Sequence, residues 1–356
     1  NSPITGSTAS DPNPRDPGVR FFNDFTRGKE EFSFFGELAF DITDTFTATV
    51  GARRYDLDIS LNGSSNFAAR GPDGDGGNNI DEILADSSPA NLSDTILKFN
   101  VQWQANDDVN LYATWSEGYR PGGFNRNGGS SLVPGVPPFV PNFYESDELT
   151  NIELGWKTEW LGGSLRFNGA YYNLDWEGLQ LATLDFDISN LTFISNVGEA
   201  EVSGIELDAI WAATDQFTLY ANVSFNDTEL TDLPPSIVGL APLGSPLALA
   251  PELQYVVRPR YDWELADGNS MFAQAVFSYT DDVISSINAG ALFPQGDYTT
   301  IDFTLGYRRG PWTASLFVEN LTDELAEVFI SNEDDIVKTT PNRPRTVGFR
   351  LSYRYE

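Results

Sequence analysis

Two stretches of this chain hold side chains of the right type and spacing to bind a small molecule or an ion. Gly118–Gly129 is glycine-rich and carries Arg120, Asn125 and Arg126. A guanidinium presents a planar fork of donors that fits a carboxylate, so Arg120 and Arg126 are candidate ligands for an anionic solute, with Asn125 beside them. The alternative is that they pair with the chain's own carboxylates or shape the loop. Asp73–Glu82 packs Asp73, Asp75, Asn78, Asp81 and Glu82 among glycines. Hard oxygen ligands in a short loop suit Ca²⁺. The spacing departs from an EF-hand, with no well-placed Glu closing a twelve-residue loop, and a solvated acidic loop tip is the alternative. Aromatic residues recur in polar, loop-like stretches: Phe139, Phe143, Tyr144, Phe186, Phe193, Phe293 and Phe329. Phe139, Tyr144 and Phe186 are candidates for an aromatic lid over an apolar or planar ligand; loop-on-loop packing is the alternative.

The chain has no Cys and no His. That excludes thiol chemistry, disulfides, zinc sites built on N and S ligands, and any imidazole base. Asp334 and Asp335 adjoin, but nothing near them in sequence suggests acid–base work. The expected chemistry is binding and not catalysis, with no cofactor beyond the candidate loop-bound Ca²⁺. There are 21 Lys+Arg against 52 Asp+Glu, a net charge of −31, which repels nucleic acid. At 40% hydrophobic and 13% aromatic, the chain is too apolar for a disordered acidic polymer.

The elements that must position these residues are strands. The 356 residues show a dominant period of two. Thirteen segments are expected near 31–41, 45–58, 95–104, 109–119, 149–160, 164–176, 201–212, 217–227, 253–264, 270–281, 298–309, 311–321 and 344–355. One parity is apolar, as in Leu97, Phe99, Val101 and Trp103, or Phe217, Leu219, Ala221, Val223 and Phe225. The other is polar, as in Lys98, Asn100 and Gln102, or Arg258, Arg260 and Asp262. Each strand therefore has one greasy face and one wet face. A soluble β-sandwich would also show this, but three features favour a transmembrane β-barrel. About 11 residues at ~3.3 Å each, tilted ~45°, rise ~26 Å, the height of a barrel's apolar band. Connections alternate short and long, as turns on one side and loops on the other. Five of the eight Trp, namely Trp103, Trp160, Trp211, Trp263 and Trp312, sit beside short turns, as a membrane-interface girdle requires. No run of ~20 apolar residues occurs, and Leu233–Leu253 is broken by five prolines. The start at Asn1, without an initiator Met or signal pattern, reads as a mature chain or a fragment.

Four segments carry a family resemblance. "YATWSEGYRPGGFN" (Tyr112–Asn125), "LTNIELGWKTEWLGGSLRFNGAYYNLDWEGLQ" (Leu149–Gln180), "NVGEAEVSGIELDAIW" (Asn196–Trp211) and "FVENLTDEL" (Phe317–Leu325) resemble TonB-dependent outer-membrane receptors, in the family's order. The resemblance implies an all-β fold: an antiparallel 22-strand barrel enclosing an N-terminal plug, in the bacterial outer membrane. It covers the C-terminal part of the barrel, about thirteen strands, over residues 31–356; the plug and the TonB box have no counterpart. A bacterial one-chain barrel has an even strand number, and an open edge in lipid leaves backbone groups unpaired at several kcal/mol each. The expected partners are therefore a companion polypeptide with the plug and about nine strands, TonB through that plug, outer-membrane lipid and a small-molecule substrate. Residues 1–30, with Pro3, Pro12, Pro14 and Pro17, read as an extracellular loop or exposed N-terminal segment at which a receptor could be divided. The implied function is energised uptake of a scarce nutrient, by family default a ferric siderophore; cobalamin, carbohydrate or aromatic ligands stay open. A passive porin-like channel and a soluble β-rich adhesion module are the alternatives.

Overall fold

The computed structural model describes residues 21–67, 78–79, 92–125, 140–183, 192–233, 242–287, 292–333 and 336–355. In chain order the first elements are β1 (Phe21–Thr43), β2 (Phe46–Phe67), β3 (Asn78–Asn79), β4 (Leu92–Asn106), β5 (Val109–Arg120), β6 (Gly123–Phe124) and β7 (Phe143–Tyr144). Next come β8 (Asp147–Trp160), β9 (Leu165–Glu177), β10 (Gln180–Thr183), β11 (Phe193–Asn196), β12 (Glu199–Ala212), β13 (Phe217–Asp232) and β14 (Leu253–Glu264). The last are β15 (Ser270–Thr280), β16 (Val283–Ile284), β17 (Pro294–Gln295), β18 (Tyr298–Arg309), β19 (Trp312–Glu319), β20 (Glu327–Glu333), β21 (Ile336–Pro341) and β22 (Thr346–Tyr353).

Thirteen of these form one antiparallel path: β1-β2-β4-β5-β8-β9-β12-β13-β14-β15-β18-β19-β22. They coincide one for one with the thirteen alternating segments. Each long strand pairs with its sequence neighbours, so the wall is a simple meander. Among the described residues β1 and β22 each have only one long neighbour, so two edges stay open.

Register converts the sequence alternation into two continuous surfaces. One row across the wall runs Tyr261, Ala273, Leu305, Leu316 and Phe349. Tyr261, Leu316 and Phe349 are 47%, 58% and 64% exposed, which marks this as a face with no protein neighbour. The adjacent row on the opposite face runs Arg260, Gln274, Thr304, Phe317 and Gly348. The apolar face is the lipid side and the polar face lines the lumen. Two lumenal aromatics lie flat across glycines of the next strand: Tyr112 over Gly155 and Phe272 over Gly306, where a Cβ would overlap the ring.

Two differences from the sequence reading have physical causes. The first hairpin is longer: β1 begins at Phe21 instead of near 31, and β2 runs to Phe67 instead of 58, in register from Phe21↔Phe67 onward. Its outer part holds Arg27, Lys29, Glu30, Asp56 and Asp58 among its residues. Here Glu30, Asp56 and Asp58 lie on the outer face and Leu57 and Leu61 are buried on the other, the reverse of the pattern within the membrane. The long connections also contain structure of their own: β6 pairs β7, β10 pairs β11, β16 pairs β17 and β20 pairs β21. Strands of two to seven residues are too short to show a period.

The short turns are locally satisfied. In the β14–β15 turn the Asn269 backbone N–H and side-chain amide both donate to the Asp267 carboxylate, at 3.2 and 2.6 Å. These bonds hold that carboxyl below its ordinary pKa. The buried apolar cluster lies elsewhere, at the long-loop end. Leu179, Val197, Ala200, Leu230 and Ile287 pack there, flanked by Trp176, Leu181 and Leu247.

Candidate functional site

The glycine-rich stretch leaves the wall at Arg120, the last residue of β5. Just before it, β5 parts from β4: pairing stops at Lys98↔Ser116, and the Leu97 N–H turns to the Glu117 carboxylate at 2.8 Å. Beside this parting, Tyr55 stacks on Tyr119 with centroids 4.0 Å apart and planes 2° from parallel. Tyr55 is 2% exposed, and the neighbouring Leu57 and Leu61 are equally buried. The lumenal face, polar through the membrane, becomes apolar and packed at its outer end.

Arg120 is committed to the scaffold. Its Nε donates to Asp147 Oδ2 at 2.9 Å and one Nη donates to the Gln180 carbonyl at 3.0 Å. Its guanidinium also lies over the Trp176 ring at 5.3 Å. Asp147 is 2% exposed and accepts a further bond from the Gln180 N–H. Gln180 closes the circuit by donating its amide to the Arg120, Pro121 and Glu145 carbonyls. Asn125 is 3% exposed and braces two loops: its amide donates to the Pro141 and Ile194 carbonyls, and its oxygen accepts from the Ile194 N–H. Asn196 repeats the device, taking the Glu145 N–H at 2.8 Å and donating to the Gly178 carbonyl at 2.7 Å. Buried polar groups need partners, and these side chains meet that need by tying the β6–β7 hairpin to the β10–β11 hairpin.

Tyr144, in β7, covers Gly123 and lines a crevice of about 190 Å³ with Arg27, Lys29, Leu61 and Phe124. Arg120, Asn125 and Tyr144 are thus brought to one rim, but the first two face the scaffold. Arg126, Phe139 and Phe186 lie outside the described residues, as do Asp334 and Asp335. So do Asp73, Asp75 and Asp81 of the candidate Ca²⁺ loop. Only the backbone of Asn78 is described, in β3 against Ser65. Among the described residues there is no group of three carboxylates placed to hold a metal ion. Asp147, Gln180 and Asn196 were not singled out from sequence. They are polar residues at strand ends, where a brace and a solvated turn look alike.

A second cavity, of about 520 Å³, lies against the wall itself between β5 and β15. Tyr112, Lys157, Asn168, Glu206, Asp208 and Gln254 are among its lining. Tyr112 donates to Glu153 at 2.6 Å, so acids and hydroxyls are interlinked there.

The five Trp expected to form a girdle all lie at the short-turn end. Trp103, Trp160, Trp211 and Trp312 are 40–51% exposed on the lipid face. Trp263 packs against Tyr261, with centroids 5.9 Å apart. A thirteen-strand wall with lipid outside, a polar lumen inside and braced loops at one mouth is the architecture of a barrel that handles a ligand. Comparison with known proteins bears on which. The family described as TonB dependent receptor-like, beta-barrel matches residues 2–321.

The chain belongs to this TonB-dependent receptor family.

The family's barrels reside in the bacterial outer membrane and carry out transport and not catalysis. The pesticin receptor of Yersinia pestis is 24% identical over 326 residues, which is 90% of this chain and 43% of the receptor. Two solved structures share the fold. The ferric yersiniabactin uptake receptor FyuA from Yersinia pestis superposes with a TM-score of 0.69 at 18% identity, covering 93% of this chain and 46% of that one. The siderophore receptor PiuA from Acinetobacter baumannii gives 0.68 at 18% identity, with 93% and 44% covered. The chain therefore spans less than half the length of the relatives it matches, and what it matches is their barrel.

Within this family the "FVENLTDEL" segment gains a physical meaning. Asn320 is 4% exposed and adopts a left-handed φ of 51°. Its amide donates to the Glu324 and Arg343 carbonyls, its oxygen accepts the Glu324 N–H, and its own N–H goes to Asp302. It is the clamp that turns β19 into the last long loop.

Proposed function

We propose that this chain forms thirteen strands of the wall of an outer-membrane receptor that captures a scarce nutrient outside the cell. A ferric siderophore is the first candidate, imported into the periplasm with energy delivered through TonB. The carrying observation is the braced rim. Arg120, Asp147, Gln180, Asn125 and Asn196 lock two loop hairpins into one platform at the long-loop mouth. A site that must select a dilute ligand gains from a platform whose order does not have to be created on binding. The pesticin receptors and the siderophore receptors named above support the substrate class. On this reading Tyr144 and the unengaged face of Arg120 border the ligand, with Arg126, Phe139 and Phe186 in the adjoining loops.

Two open edges in lipid also require more wall. An even strand number is reached with further strands, and a plug completes the receptor. A companion polypeptide, or more residues of a longer chain, would supply both; the intact mass of the native receptor distinguishes them.

The test is uptake of radioactive iron presented as a panel of ferric siderophores, in cells with and without this protein. Uptake that needs the protein and stops with a protonophore is expected. Protein-dependent uptake that ignores the protonophore would favour the passive channel, and no protein-dependent uptake of any ferric chelate would end the siderophore reading.

A further inference from the structure

A second charged site lies at the opposite end of the wall from the braced rim. Several cations elsewhere sit beside carboxylates: Arg53 with Glu31, Lys98 with Glu37, Arg120 with Asp147, Arg166 with Glu159 and Arg345 with Asp323. That is expected where 52 acidic residues face 21 basic ones.

The short-turn ends of β18, β19 and β22 bring three guanidiniums close together. Two successive lumenal rows there read Arg308, Thr313, Ser352 and Gly306, Ser315, Arg350. Arg354 follows on from β22, its N–H held by the Pro311 carbonyl at 2.9 Å. These positions supply three guanidiniums and three hydroxyls and no carboxylate. Asp262, on β14, takes one nitrogen of Arg308 at 3.1 Å and the fork of Arg260. Among the described residues neither Arg350 nor Arg354 has an ion pair. Arg308 and Arg354, with Thr313, Ser352 and Tyr353, line a cavity of about 730 Å³.

The guanidiniums are also held in place. Arg308 and Arg260 lie over the Phe272 ring at 4.7 and 4.0 Å, and Arg350 lies over Phe317 at 5.3 Å. Stacking on a ring fixes the plane of a guanidinium while leaving its edge donors free. Guanidiniums set against a low-dielectric wall, two of the three without an ion pair among the described residues, concentrate anions from solution. Guanidinium and hydroxyl donors at two heights match the oxygens of carboxylates or phosphates. The volume falls within the roughly 300–1,000 Å³ typical of small-molecule sites.

We infer that the short-turn end of β18, β19 and β22 is an anion-binding site on the lumenal wall, for a small solute carrying two or more carboxylate or phosphate groups. It stands on the wall's geometry and not on the identity of the nutrient captured at the other mouth.

The test uses the protein extracted from outer membranes in detergent, with citrate as the probe and phenylglyoxal as the arginine reagent. Modification is read peptide by peptide by mass spectrometry. Citrate is expected to slow modification of Arg308, Arg350 and Arg354 about fivefold or more, and to leave Arg166 and Arg345 unchanged. Salt at about 0.5 M should remove the protection. No protection, or equal protection of all five arginines, would overturn the inference. Protection by polyglutamate alone, with none by citrate, would assign the surface to an acidic polypeptide and overturn it too. As a second arm, Arg350→Gln with Arg354→Gln should weaken citrate binding about tenfold while Arg166→Gln leaves it unchanged. Retained binding in the double variant would also count against the site.

Discussion

The two ends of this molecule solve the same problem, how to hold strands together, by different means. Through the membrane there is hardly any protein core. Leu316, Phe349 and Leu351 are 56–64% exposed, on the face assigned to lipid. Order there comes from the hydrogen-bond ladder that a bilayer demands, which lapses between β14 and β15 only at Arg258 and Pro259. At the long-loop end water replaces lipid, and the chain builds a small conventional core. Leu230 and Val197 are 0% exposed, and Asp147 and Asn125 are buried with every polar need met nearby. The lesson is that side-chain contacts matter least where the strands are most regular. The ladder makes the wall, and the contacts make the site.

One substitution made twice breaks or sharpens this contrast most directly. Leu230→Ala opens a cavity in the loop-end cluster and should cost about 3 kcal/mol of local stability. Leu316→Ala removes the same atoms from a lipid-facing row and should cost under about 1 kcal/mol, because lipid fills the space. Limited proteolysis of the loops and the melting of the folded band on unboiled gels read the two effects separately. Equal costs would mean that the lipid face is packed against protein.

Leu316→Arg reverses the ranking. A guanidinium on the lipid face costs about 2–3 kcal/mol, whereas Gln102→Arg on the lumenal face of β4 should cost roughly nothing. Folded yield in liposomes is the measurement. A matching loss for Gln102→Arg would show that the assigned faces are inverted.

Asp147→Ala is a test of the rim alone. It leaves Arg120 without its carboxylate and the Gln180 N–H without an acceptor, for about 2 kcal/mol. Because Arg120 is half-exposed, water recovers part of the loss. The wall should melt unchanged while the loops become protease-sensitive and ligand capture weakens. Loss of the whole barrel would mean that rim and wall fold as one unit.

The same contrast explains what could be read from sequence. The wall was legible to within a few residues at most strand ends, because a bilayer forces period two on every strand that crosses it. Leu253–Glu264 and Tyr298–Arg309 match their expected bounds to the residue. The rim was not legible. Arg120 and Asn125 stood out as polar residues among glycines, but sequence cannot say that their partners are Asp147, 27 residues on, and Ile194, 69 residues on. Such pairings follow from loop packing, which carries no period. The outer parts of β1 and β2 were missed for a related reason: above the membrane the apolar face is the one packed under the loops, at Leu57 and Leu61, and no longer the lipid face.

The smallest effect probes the boundary between lipid and water. Trp160 ends β8 at the short-turn rim, 51% exposed, and its indole N–H donates to Thr158 Oγ1 at 2.9 Å. Its ring therefore meets lipid while its one polar atom is already satisfied within the protein. Trp160→Phe keeps most of the apolar area and removes that donor. Thr158 still donates its hydroxyl to the Phe167 carbonyl, so no buried group is orphaned. The expected cost is about 0.5–1 kcal/mol, seen as a small drop in the melting temperature of the folded band. Trp312→Phe is the comparison, because Trp312 instead packs on Tyr353, with ring centroids 4.8 Å apart. If the two substitutions cost the same, the girdle acts through ring area at the interface and the Trp160–Thr158 bond adds nothing. If only Trp160→Phe registers, part of the girdle's anchoring comes from hydrogen bonds that the wall makes to itself.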